Sequence, residues 1–92
     1  MPLTDQEARE ELRYVVRRYL AARPTAALTL DMIAHGLRAK GIGADSGSML
    51  EELIYWTGTE PPHVKVVLPH AHGTTQAFQI TSAGRLADER GE

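Results

Sequence analysis

The sequence predicts an α+β domain, with a core of three helices followed by a β-hairpin and a short last helix. Three observations predict it. Apolar residues recur at the helical period through 12–20, 30–37 and 49–56. The period falls to two between 64 and 80. Glycine or proline stands at each joint, at Pro24, Gly41, Gly58 and Pro69.

The first helix is the most plainly written. Thr4 and Glu7 stand three apart as a capping box, with Leu3 and Ala8 placed for a hydrophobic staple. Leu12, Val15, Val16, Tyr19 and Leu20 form a core-facing stripe. Acids gather early (Asp5, Glu7, Glu10, Glu11) and bases late (Arg13, Arg17, Arg18), as the helix dipole favours. Pro24 stops the helix soon after Ala22. The link 25–28 is able to pair as an edge strand.

Thr29 caps a second helix carrying Leu30, Ile33, Ala34 and Leu37, and Gly41 ends it in the left-handed conformation. Ile42 is the one apolar residue of the next link and points inward. Asp45, Ser46 or Ser48 caps the third helix, Ser48 making a box with Glu51 and the other two giving a longer helix. Met49, Leu53 and Trp56 form its stripe, and Gly58 ends it. Val64, Val66 and Leu68, then Gln76, Phe78 and Ile80, alternate as two strands around the turn residues 69–73. Thr81 or Ser82 caps a last helix with Leu86. Residues 1–3 and the charged tail 88–92 are expected to fray at the two ends of this single domain.

Composition narrows the function. A chain of 92 residues, 42% hydrophobic and 24% charged, is one globular domain. It has no cysteine, so no disulfide framework and no thiolate metal site. Residues 1–11 are polar and acidic, unlike a signal peptide, and no apolar run approaches the ~20 residues of a membrane span. The cytoplasm is the expected compartment. The net charge of −2 and isoelectric point near 6.1 speak against a strongly basic nucleic-acid binder.

The stretch 12–90 resembles winged-helix proteins, on Leu30-x-x-Ile33-Ala34-x-x-Leu37, Met49-Leu50-x-x-Leu53-x-x-Trp56 and Phe78-x-Ile80-Thr81-x-x-Gly84-Arg85. More narrowly, it is similar to a family of small cysteine-free proteins of Mu-like phages and prophages that end in the same strand-then-Thr-x-x-Gly pattern. The resemblance implies a winged helix-turn-helix, with helices two and three as the pair and the hairpin as the wing. It implies binding to double-stranded DNA and transcription regulation by the habit of the fold. It also implies a homodimer, because winged helices often pair through terminal helices.

One departure bears on that implication. The third helix of a DNA-reading winged helix offers Arg, Lys, Asn or Gln to the major groove. Residues 41–64 contain no Lys or Arg and carry a formal charge of −4, which phosphates repel.

The candidate DNA-binding residues are therefore spread out. Arg9, Arg13 and Arg17 lie at i, i+4, i+8 on the first helix, with Arg18 beside them. They read either as a phosphate ridge or as a solvated face paired with Glu10 and nearby acids. Ser46 and Ser48 offer hydroxyls, and Lys65, His70 and His72 offer charge on the wing, the histidines below about pH 6.5. Two histidines two residues apart, with no acid or cysteine near, define no metal site. Tyr14, beside the first stripe, and Tyr55, off the stripe of Trp56, are the candidate partner-contact residues; Tyr55 serves a partner or packs beneath the hairpin. Trp56 itself reads as core. No nucleophile, base or cofactor motif stands out, and no cofactor or small-molecule substrate is expected. Two readings stay open: a small DNA-binding regulator, and a protein-interaction winged helix suggested by the acidic third helix.

Overall fold

A computed structural model describes residues 5–67 and 76–92. In chain order the elements are α1 (Asp5–Ala21), β1 (Leu28–Thr29), α2 (Leu30–Ala39), α3 (Ser46–Thr57), β2 (Val64–Val67), β3 (Ala77–Ile80) and α4 (Ser82–Arg90). The domain is α+β: four helices and one small antiparallel sheet of strand order β1-β3-β2. Phe78 of the central strand stands between Leu28 on one edge and Val66 on the other, and Val64 faces Ile80.

The core forms where the predicted stripes converge. Val16 and Leu20 of α1, Ile33 and Leu37 of α2, and Met49, Leu53 and Trp56 of α3 are buried together with Val64, Phe78 and Ile80 of the sheet. Ile42 packs against this cluster from the α2–α3 link. Such residues each contribute about 1.5–3 kcal/mol by leaving water.

The helix ends follow their caps. The Thr29 side chain accepts from the Met32 amide, and that of Thr81 from the Gly84 amide at 3.0 Å. Asp45 caps α3, accepting from the Ser48 amide at 2.8 Å, so the longer of the predicted helices forms. Gly41 has φ +79°, and the amides of Gly41 and Ile42 return to the carbonyls of Arg38 and Leu37. Thr4 of the first predicted box lies outside the described residues.

Val66, on the edge strand β2, is exposed although it alternates with buried Val64. Leu86 is exposed too; α4 buries Gly84 and Ala87 instead. At the C-terminal end α4 runs to Arg90, Gly91 takes the left-handed cap, and the Glu92 amide donates to the Ala87 carbonyl at 2.9 Å. The hairpin turn predicted at 69–73 lies outside the described residues.

One knot joins the sheet to α4 and α3. The Thr81 amide donates to the His63 carbonyl, the Thr81 hydroxyl donates to the Pro62 carbonyl, and the His63 amide donates to the Trp56 carbonyl. Gly84 backs directly onto the His63 carbonyl, in the space a Cβ would take. This seats the His63 ring against α3.

Candidate functional site

The arginines at i, i+4 and i+8 on α1 are progressively more buried, from exposed Arg9 through half-buried Arg13 to buried Arg17. Position by position, Arg9, Arg13 and Arg17 lie on the flank of α1 that meets α3 and α4. Their acidic partners come from those helices: Arg9 reaches Glu51 at 3.9 Å, Arg13 donates from Nε to Glu52 at 2.8 Å, and Arg17 lies 3.9 Å from Asp88. Arg13 and Arg17 are thereby committed to the fold, while Arg9 stays exposed and Glu10 adds its charge to that of Glu52 around Arg13.

Arg17 is the sharpest correction. It is 2% exposed and unavailable to DNA. Its Nη2 donates to the Glu92 carbonyl at 2.7 Å, and its Nη1 lies 3.2 Å from His63 Nδ1. That pairing requires the tautomer with its hydrogen on Nε2, so that Nδ1 accepts. The guanidinium also lies 4.5 Å from the Trp56 ring centre, a cation–π distance. Nε has no hydrogen-bond partner, since Asp88 stands beyond hydrogen-bond reach. Arg17 thus clamps α1 to the start of β2 and the end of α4.

Arg13 is corrected in part. Its Nε is committed to Glu52 and its guanidinium covers the Tyr55 ring at 3.8 Å. Glu52 is buried at a stripe position, three residues after Met49 and four before Trp56, and its hydrogen bond and charge raise the Arg13 pKa. Two of the three predicted α1 contacts to DNA are therefore structural. The third, Arg18, is 77% exposed and 3.8 Å from Asp88. Ser46 is exposed, while the Ser48 hydroxyl donates to Asp45 within the α3 cap. Lys65 is exposed on β2; His70 and His72 lie outside the described residues. Among the described residues, no three His, Cys, Asp or Glu gather as a metal site.

Tyr14 and Tyr55, by contrast, come together. Both stand edge-on to Trp56, with ring centres at 5.6 and 5.1 Å. Trp56 is buried, as its stripe predicts, and its indole N–H donates to the Arg13 carbonyl at 2.7 Å. The two tyrosines are 48% and 47% exposed. His63 completes the group, stacked on Trp56 at 5.0 Å and 13°. Burial first, and then the Arg17 charge, hold its pKa below the ordinary 6.5, with Glu92 opposing.

The seat of His63 on Trp56 is a long-range contact with no local signal in the sequence. The burial of Arg17 had a signal: it lies between Val16 and Leu20, at the border of the core stripe. Glu52, inside the Met49–Trp56 stripe, announced that it needed a cation.

The remaining exposed face of α3 carries Gly47, Glu51 and Ile54, with Leu50 half-buried beside them. No base stands on it. No protein-family model, curated protein or solved structure matches this chain. No helix among the described residues is long and apolar enough to cross a membrane.

Proposed function

We propose that the chain is a non-enzymatic winged-helix domain that works by contacting protein, through the Tyr14–Trp56–Tyr55 surface, and not by reading duplex DNA. The order α1-β1-α2-α3-β2-β3-α4 and the sheet order β1-β3-β2 support the winged-helix reading, with α2 and α3 as the helix-turn-helix and β2–β3 as the wing. The observation that carries the functional reading is the pair of half-exposed tyrosines braced against one buried tryptophan. Rigid aromatics with arginine beside them are the residue types that dominate protein contacts, because they bury much area for little lost side-chain freedom.

The charges support the same reading. A DNA reader needs uncommitted cations near its reading helix. Here Arg13 and Arg17 are spent on the fold, and the outer face of α3 is acidic and apolar. Affinity capture from nuclease-treated source lysate tests this, comparing the wild type with the Tyr14→Ala/Tyr55→Ala variant. Protein retained by the wild type and lost by a folded variant is the expected result. Equal retention by both, or no protein retained by the wild type, would overturn the reading.

A further inference from the structure

The outer face of α1 has a charge order that selects its own occupant. Glu11, Tyr14 and Arg18 are exposed and lie on one stripe, at i, i+3 and i+7, with Val15 half-buried beside them. These four residues line a shallow groove of about 310 Å³. The groove has an acid at one end, a base at the other, and an aromatic–aliphatic pair in the middle.

Antiparallel pairing makes this arrangement self-complementary. With a two-fold axis between Tyr14 and Val15, Glu11 meets Arg18 of the second copy, Arg18 meets its Glu11, and each Tyr14 ring lies in the other groove against Val15. A parallel pairing sets Glu11 on Glu11 and Arg18 on Arg18, so like charges oppose it. The same order runs through the helix, whose acids precede its bases. We propose that α1 docks on α1 of a second copy of this chain, antiparallel about that axis. The proposal rests on the reading of Tyr14 as a protein-contact residue and names the partner for that part of the surface.

The internal contacts of α1 leave this face available. Arg9, Arg13 and Arg17 turn to α3 and α4, whereas Arg18 keeps 77% of its side chain in solvent and meets Asp88 only at 3.8 Å. It can bridge Asp88 and Glu11 of the second copy at once. The segment from Glu11 to Arg18 spans only about 10 Å of helix, so the contact is small and the dimer reversible, weaker than about 1 µM.

Sedimentation equilibrium of the full chain tests the proposal, from about 10 µM to about 1 mM, the range in which such a dimer forms. The wild type is expected to move from monomer to dimer. Glu11→Arg and Arg18→Glu, each alone, place like charges in contact and are expected to weaken it about tenfold or more. Mixing the two variants is expected to restore a heterodimer, and combining both changes in one chain to restore a homodimer. Circular dichroism of each variant separates lost pairing from lost folding. A wild type that stays monomeric throughout, a dimer indifferent to both reversals, or reversals that no combination rescues would overturn it. If the wild type stays monomeric while the tyrosine-dependent capture above still succeeds, the second copy is wrong and the protein-contact reading stands.

Discussion

Arg17→Ala offers the most discriminating perturbation of the fold. As a phosphate contact, Arg17 is dispensable to stability. As the buried clamp seen here, its truncation orphans His63 Nδ1 and the Glu92 carbonyl and opens a hole beside Trp56. Each hydrogen bond from a charged donor is worth about 1.5–3 kcal/mol, and breaking a buried charged constellation costs about 3–5 kcal/mol. Because the two bonds are not additive and Nε makes no hydrogen bond among the described residues, about 3 kcal/mol is the expected loss. For a domain of this size, that lowers Tm by about 12–24 °C. Arg17→Met, which fills the space but leaves His63 Nδ1 and the Glu92 carbonyl without their donor, is expected to lose about 2 kcal/mol, less than Arg17→Ala only by the packing it keeps. Thermal unfolding followed by circular dichroism reads both. An Arg17→Ala protein within about 0.5 kcal/mol of the wild type, the range of ordinary surface changes, refutes the clamp.

Other consequences follow from the same contacts. His63 has a lowered native pKa, so the unfolded chain takes up its proton first as the pH falls. Its contribution to stability is fully present above pH 6.5 and is lost as the pH falls through the native value; the stability difference between wild type and His63→Asn should shrink over that window, and a difference that grows toward acid contradicts the assignment. Gly84→Ala drives a methyl into the His63 carbonyl and should cost about 1–3 kcal/mol in a denaturant titration; a neutral result means the knot is looser than described. Glu52→Ala removes the acceptor of Arg13 Nε and should cost about 2 kcal/mol, with Glu52→Gln milder because it keeps an acceptor; equal losses would place the effect in packing alone. Tyr14→Ala and Tyr55→Ala, half-exposed, should each leave the cooperative melt intact, and a collapse of the fold would make them core residues.

Local grammar made most of the fold legible. Thr29, Thr81 and Gly41 each act within one helical turn, so their roles can be read from the residues beside them. The Thr81-x-x-Gly84 signature acquires a physical meaning: the threonine caps α4, and the glycine yields its side-chain space to the carbonyl of His63. The site was less legible, for a reason the arginines make plain. A row of bases at helical spacing looks the same whether it faces water or a neighbouring helix that supplies the acids. Only the packing of α3 and α4 on α1 brings Glu52 and Asp88 to that row. Tyr14 and Tyr55 were separately marked by lying off their stripes, but nothing short of the tertiary fold sets both on Trp56. Alternation and periodicity give a side but not the depth of packing beyond it, which is why Val66 and Leu86 are exposed.

In the proposed function, Arg13 and Arg17 of α1 serve the fold while the aromatic surface serves a protein partner. Titration of labelled random duplex DNA with the wild-type protein, followed by fluorescence anisotropy at about 50 mM salt, tests this most directly. No saturable binding is predicted up to about 10 µM, because the cations of a phosphate-tracking surface are paired internally. Saturable binding that weakens steeply toward about 200 mM salt and disappears in Arg18→Ala or Lys65→Ala would contradict it.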